Sequence, residues 1–316
     1  MQFTKGHGTG NDFVILADPD GELPLTPALV AALCDRRRGI GADGVLRVIR
    51  AAKHPDGAAY AGEAEWFMDY WNSDGSIAEM CGNGVRVFTR YLLDSGLAEP
   101  ADGGLPVATR SGVVRAVVGP AAVGRMVVAD REISVDLGAP RLYGHSTATL
   151  TQPIGTDAST GADGSTGSAG PVGSDGLLGS RRLTLAGTAV DCGNPHLVCV
   201  LPAGVELSAL DLTRAPGFDP DFFPTGVNVE FVTAAEPVAG TDLHVLMRVY
   251  ERGSAETLSC GSGAVAVAAV ALRDAGLTEG VVAVDVPGGR LTITLAPDSA
   301  WLAGPALLTA QGTLLP

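Results

Sequence analysis

Lysine is almost absent from this 316-residue sequence: Lys5 and Lys53 are the only two among 21 basic residues, the rest being arginine. With the richness in alanine and glycine, that bias reads as an effect of genomic composition. The formal net charge of −14 excludes an extended phosphate-binding surface, so no nucleic-acid partner is expected. Long hydrophobic runs are missing too. The longest, residues 264–272, falls far short of the ~20 residues a membrane-spanning helix needs. The first residues, MQFTKGHGTGND, contain no hydrophobic signal region, so no membrane association and a cytoplasmic location are expected. There is no CxxC pair or CxxH cluster, and hence no expected metal. The five cysteines, Cys34, Cys81, Cys192, Cys199 and Cys260, are odd in number and do not suggest a disulfide framework. What is present is an apolar content of 46%, ample for a core, and a length suited to two domains of about 100–200 residues each.

Two segments stand out. Residues 80–84 (MCGNG) and 259–263 (SCGSG) each place a cysteine before a Gly-x-Gly turn and an apolar helical run. The cysteines are 179 positions apart (260 − 81), and other matches keep nearly that spacing. Gly10-Asn11-Asp12-Phe13 parallels Gly193-Asn194-Pro195-His196, an offset of 183 (193 − 10). Leu93-Asp94-Ser95-Gly96-Leu97 parallels Arg273-Asp274-Ala275-Gly276-Leu277. Agreement in order and spacing at three places favours an internal duplication.

Strands are expected at 113–118, 125–129, 181–185, 242–250, 281–286 and 291–295, from β-branched or alternating apolar residues bounded by Gly or Pro. Helices are expected at 26–35, with Thr26 as N-cap and Pro27 at the first helical position, and at 84–95 and 263–275. Residues 264–272 (AVAVAAVAL) are apolar on every face, so that helix must be surrounded by protein, whereas Arg86 and Arg90 interrupt its counterpart. These patterns predict an α/β chain of the α+β type: two pseudo-symmetric lobes, each a curved, mainly antiparallel sheet around a central helix, with the cysteines facing a cleft between them. The expected division is residues 1–150 for the lobe carrying Cys81, 151–182 for a linker, and 183–316 for the lobe carrying Cys260, with terminal segments free to cross over. The linker holds a Gly/Ser/Thr/Asp-rich stretch, residues 155–180, expected to be a flexible surface insertion.

Two thiols aimed at one carbon can remove a proton from one face and return it on the other, the chemistry of a racemase or epimerase that needs no cofactor. A helix N-terminus lowers a cysteine pKa from its usual ~8.5. Glycines beside it let backbone N–H groups approach a carboxylate and stabilise the charge that grows there during proton removal. Singly, Cys81 and Cys260 could be no more than helix-entry residues; the duplicated context favours the functional reading. Cys34, Cys192 and Cys199 read as ordinary core or surface thiols. Asn11, Asn72, Asn194 and Asn228 recur at turn-like positions, where Asn is common in any case. Glu251-Arg252-Gly253 follows the expected strand that ends at Tyr250, nine residues before Cys260. It is either a solvated strand end or a carboxylate clamp by Arg252, with Glu251 pairing an ammonium or tuning Cys260. His196 either is structural or tunes Cys81.

The combination of residues 8–14 (GTGNDFV), 39–44 (GIGADG), 72–86 (NSDGSIAEMCGNGVR), 193–196 (GNPH), 227–229 (VNV) and 250–264 (YERGSAETLSCGSGA) resembles the diaminopimelate epimerases across both halves, in the family's order. The resemblance implies a cofactor-independent isomerase that interconverts LL- and meso-2,6-diaminopimelate in lysine and peptidoglycan-precursor biosynthesis. It implies Cys81 and Cys260 as alternating base and acid. Gly82, Asn83, Gly261 and Ser262 would hold the reacting carboxylate. Asn11, Asn72, Asn194, Asn228, Glu251 and Arg252 would bind the substrate, and His196 and Glu251 would modulate the thiols. It also implies a homodimer. The chain departs from the family in the length of the 155–180 insertion, in Gly44 where some members carry a substrate-binding Gln, and in Ser262 where Thr is also common. Two rival readings follow: a proline racemase or hydroxyproline epimerase, whose first motif usually carries His at the place of Asn83, and a two-lobed amino-acid-binding protein with incidental thiols. Phenazine-type isomerases share the fold but lack the two thiols.

Overall fold

The computed structural model describes residues 1–123, 125–130, 132–153 and 180–315; the insertion expected at 155–180 lies, Ser180 apart, outside them. Among the described residues there are three α-helices, α1 (Pro27–Cys34), α2 (Gly82–Asp94) and α3 (Gly261–Asp274), and nineteen strands. The start of α1 is set by Thr26, whose extended backbone lets its hydroxyl accept the Leu29 N–H at 3.2 Å, and by Pro27 at the first helical position.

The duplication is visible in the strand pairing. Strand Asn11–Ala17 lies parallel to Gly44–Arg50, which pairs antiparallel with Trp66–Asn72; after α2, Leu105–Thr109 returns parallel to Trp66–Asn72. In the same order, Pro195–Val200 lies parallel to Asn228–Ala234, which pairs antiparallel with Leu243–Glu251; after α3, Gly280–Val286 returns parallel to Leu243–Glu251. Antiparallel partners then follow on both sides, Gly112–Val118 and Gly289–Ala296. Antiparallel pairs predominate, and parallel ones occur where a long connection, such as either central helix, carries the chain across. Residues 125–129, expected as a strand, contribute Met126–Val128, which pairs with Ala121–Val123.

Two long-range pairings join the halves. Ser299–Pro305 pairs antiparallel with Glu132–Asp136, and the last strand, Leu307–Thr313, pairs with the first, Gln2–Gly8. The outcome is one 17-stranded sheet wound around two helices, with a separate two-stranded ribbon.

Each helix is the axis of its own core. Along α3, Ala264, Val265, Ala266, Val267 and Ala268 are buried in succession, so no face meets water, and Met247, Val284, Leu291 and Ile293 pack around them. The small alanines bring the surrounding strands close. Around α2, Val85, Val87, Phe88 and Leu92 pack against Phe13, Leu46, Met68 and Ile133. Leu137 borders both cores. No helix among the described residues is long and apolar enough to cross a membrane.

Candidate active site

Cys81 and Cys260 are the N-cap residues of α2 and α3. Both hold extended backbone, φ −146° and ψ 120° at Cys81, φ −120° and ψ 115° at Cys260. Each cysteine therefore turns the chain into its helix, which begins at the very next glycine, two residues earlier than the sequence pattern suggests. The Gly84 N–H donates to Cys81 Sγ at 3.4 Å, the capping contact a serine hydroxyl would otherwise make.

The two helix starts abut. A Cβ added at Gly261 would lie 3.4 Å from Asn83 Oδ1 and 3.6 Å from Asn83 N, ordinary van der Waals contact, so the two helix starts touch here. Cβ atoms at Gly82 and at Gly261 would each lie 2.9 Å from the same Leu302 Cδ2. Asn83 Nδ2 donates to Ser259 O at 3.2 Å, reaching the residue before Cys260. Two helix N-termini, each with a thiol at its cap, thus converge from the two halves of the repeat.

A tight turn supports this seam. Between the first two strands the chain reverses at Thr9 and Gly10, both left-handed, with φ +52° and +82°. Glycine suits that backbone, while threonine there is strained. The strain is offset by the buried Thr9 hydroxyl, which accepts from Arg86 Nη2 at 2.9 Å and from Ser259 Oγ at 3.1 Å. Asn11, just beyond, is oriented by Asp43: its Nδ2 donates to Asp43 Oδ2 at 2.8 Å, leaving Oδ1 facing Cys81 Sγ at 3.6 Å and Asn83 Nδ2 at 3.3 Å.

Around Cys260 the groups are acidic. The Glu251 carboxylate acts on the thiol and accepts from the Thr257 hydroxyl, and Cys260 Sγ lies 3.7 Å from Ser262 Oγ. The fully buried Glu230 accepts from His196 Nδ1 at 2.6 Å, and His196 Nε2 lies 2.9 Å from Asn194 Oδ1. Asn228 accepts the Arg252 N–H at 2.9 Å and donates to Pro195 O at 3.3 Å. Arg252 is exposed, its Nη1 donating to Thr225 O at 2.9 Å. Asn72 is half-buried on Gly44's neighbouring strand and donates to Ser76 Oγ at 3.0 Å.

Burial governs the ionisation of the thiols. It pushes Cys81 up to about 11 and Cys260 well above the ordinary thiol range. The N–H groups of Asn83 and Gly84 oppose this at Cys81, as those of Gly263 do at Cys260. The lowering expected from the helix N-termini therefore operates but is outweighed by loss of water. The carboxylate of Glu251 adds to the rise at both sulfurs, and that of Glu230 adds to it at Cys260. Burial likewise raises Glu251. Cys34 and Cys199 are buried core thiols, pushed up to about 11 and 12 by desolvation. Among the described residues, no three His, Cys, Asp or Glu side chains are gathered so as to hold a metal ion.

Four residues of this seam, Thr9, Arg86, Glu230 and Ser259, were not among the sequence-derived candidates. Arg86 and Glu230 carried a signal, each being a charge flanked on both sides by apolar residues. Thr9 and Ser259 carried none.

Paired thiols at converging helix N-termini, in an internally duplicated and mainly antiparallel α+β fold, are the marks of an epimerase-type isomerase. A sequence model of the family described as Diaminopimelate epimerase matches residues 3–139 and 188–308. A diaminopimelate epimerase of Rhodococcus opacus (strain B4) is 46% identical over 331 residues, covering 99% of this chain and 97% of the relative. One of Corynebacterium glutamicum (strain ATCC 13032) is 44% identical over 317 residues, with the same coverage of 99% and 97%. The crystal structure of a PhzF-family phenazine biosynthesis protein from Bacillus anthracis superposes with a TM-score of 0.61 at 15% identity, covering 100% of this chain and 99% of that one, a likeness of fold. The chain belongs to the diaminopimelate epimerase family.

Proposed function

We propose that the chain interconverts LL- and meso-2,6-diaminopimelate through Cys81 and Cys260, without a cofactor, in lysine and peptidoglycan-precursor biosynthesis. The observation that carries this reading is the convergence of the two cysteine-capped helix starts, with Gly261 set against Asn83. The thiolate of one cysteine takes the α-proton and becomes a thiol. The thiol of the other delivers its proton to the opposite face of the α-carbon and becomes a thiolate. Charge that builds on the substrate carboxylate meets the N–H groups at Gly82, Asn83, Gly261 and Ser262. Asn11, Asn72, Asn194, Asn228, Glu251 and Arg252 bind the remainder of the molecule, its second amino-acid group distinguishing it from proline-type substrates. Because His196 bonds Glu230, and Glu230 acts on Cys260, its influence falls first on Cys260. The reading extends to residues 1–150 and 183–316 as the two lobes, to a homodimer and to a cytoplasmic location.

Turnover in deuterium oxide tests the reaction. Deuterium must enter the α-position of diaminopimelate as the isomers interconvert. Epimerisation without solvent deuterium, or binding without exchange, overturns the reading.

A further inference from the structure

The repeat that duplicates the thiols does not duplicate the charges beneath them. The 179-residue offset that relates Cys81 to Cys260 relates Arg86 of α2 to Val265 of α3. In the strands, Leu46 pairs beside Ile15 where Glu230 pairs beside Val198, in the corresponding place of the second half. The core of the Cys81 half thus contains a cation, and that of the Cys260 half an anion.

Arg86 is fully buried, and among the described residues no carboxylate lies within ion-pair distance of it. Its acceptors are neutral: Pro305 O at 3.0 Å from Nη1, with Thr9 Oγ1 at 2.9 Å and Asn83 Oδ1 at 2.5 Å from Nη2. Its Nε has no partner. The space around it is kept open by glycines. A Cβ at Gly304 would strike Nη1, and one at Gly8 would lie 3.2 Å from Nη2. A buried charge without a counter-ion is costly, and proteins ordinarily pair it. Two ionisable groups act on its charge from beyond ion-pair distance, Cys81 first and the Glu132 carboxylate after it. Arg86 and Cys81 are also joined through amides: Arg86 holds Asn83, whose Nδ2 faces Asn11 Oδ1, which in turn faces Cys81 Sγ.

We propose that Arg86 is a positioning residue that supplies the fixed counter-charge for Cys81, so that Cys81 ionises before Cys260 and starts the catalytic cycle as the base. The inference rests on the two-thiol reading above. The groups facing Cys81 are Arg86, the Glu251 carboxylate, which opposes ionisation, and the neutral Tyr70 hydroxyl. Those facing Cys260 are the Glu251 and Glu230 carboxylates, with His196 bonded to the latter. Arg86 therefore has no equivalent on the Cys260 side.

The test is alkylation of the substrate-free protein with iodoacetamide from neutral to alkaline pH. Peptides containing Cys81 and Cys260 are quantified by mass spectrometry, with Cys34 and Cys199 as buried references. In the wild-type protein the midpoint for Cys81 falls at lower pH than that for Cys260. In Arg86→Met it rises by about one unit or more, so alkylation at a fixed pH below the midpoint slows about tenfold, while the Cys260 midpoint stays in place. Arg86→Lys retains most of the wild-type midpoint. The proposal is overturned if a folded Arg86→Met leaves the Cys81 midpoint unmoved, or if Cys260 ionises first in the wild type. Should Arg86→Met fail to fold, the wild-type order and the Lys variant decide. Alkylation needs no turnover, so failure here is distinct from failure of solvent exchange in the wild-type enzyme.

Discussion

Asn83 on α2 donates its side-chain N–H to the carbonyl of Ser259 at 3.2 Å, tying the start of one helix to the residue that precedes the other. The same Nδ2 lies 3.3 Å from Ser259 Oγ, and Oδ1 accepts from Arg86. The amide nitrogen thus joins the two cysteine caps, while its oxygen holds Arg86 of the same helix. Replacing Asn83 with Leu leaves the Arg86 charge and the Ser259 carbonyl short of partners. Each buried polar group left unpaired costs about 1–3 kcal/mol. Chemical denaturation should show a loss of at least that size, and an unchanged midpoint would show that the seam is not held here.

Removing either thiol tests the chemistry. Cys81→Ala and Cys260→Ala each delete one proton-transfer group, and such groups contribute typically about 10²–10⁴-fold to rate. Conversion of LL- to meso-diaminopimelate should fall by that factor or more in both variants, with the circular dichroism spectrum retained. Near-normal turnover in either would remove that sulfur from the mechanism.

The Glu251 carboxylate opposes ionisation of both sulfurs. In Glu251→Gln the negative charge is gone, so the thiol pKa values fall. The alkylation midpoints of Cys81 and Cys260 should move to lower pH, by more at Cys260, where Glu251 is the leading cause after burial. A shift to higher pH at Cys260 would mean that Glu251 promotes the thiolate instead.

Acid stability has a marked contributor in Asp12, which pairs with Lys5 at 2.6 Å and Arg36 at 2.7 Å and is lowered from 3.8 to about 2 by those partners, against its own burial. A depressed carboxylate pKa gives stability that is fully present above the unfolded value and is lost as pH falls through the folded one, here from 3.8 down to about 2. Asp12→Asn should therefore cost about 1–2 kcal/mol at neutral pH, partner screening included, and only about a few tenths of a kcal/mol near pH 2. Denaturant unfolding at the two pH values separates these outcomes.

The packing of α3 gives a test of its enclosure. Ala266 and Ala268 are fully buried on the helix that strands surround. Ala268→Leu adds three carbons to a filled site and should destabilise by about 1–3 kcal/mol. A neutral effect would place that face of α3 against looser packing.

The helices, the cysteines at their starts and the duplication were legible because each is written in local spacing: Thr26-Pro27, Cys-Gly-x-Gly, and the unbroken apolar run of α3. Helix starts were read two residues late because Gly-x-Gly argues against helix, whereas the cysteine caps bring those glycines inside it. The pairings of Leu307–Thr313 with Gln2–Gly8 and of Ser299–Pro305 with Glu132–Asp136 left no local mark, since they join segments far apart in the chain. Arg86 was visible as an interruption of an apolar helix. That it is buried without an acid beside it follows only from where Thr9, Pro305 and the glycines Gly8 and Gly304 come to lie. The same holds for Glu230, whose meaning depends on His196 arriving from a parallel strand.

The account stands on two sulfurs addressing one carbon. A crystal structure of the protein with an unreactive diaminopimelate analogue measures this directly. The predicted result is Cys81 Sγ against one face of the α-carbon and Cys260 Sγ against the other, with the α-carboxylate on the N–H groups of the two helix starts. Both sulfurs on one face, or either one out of reach of the α-carbon, would contradict it.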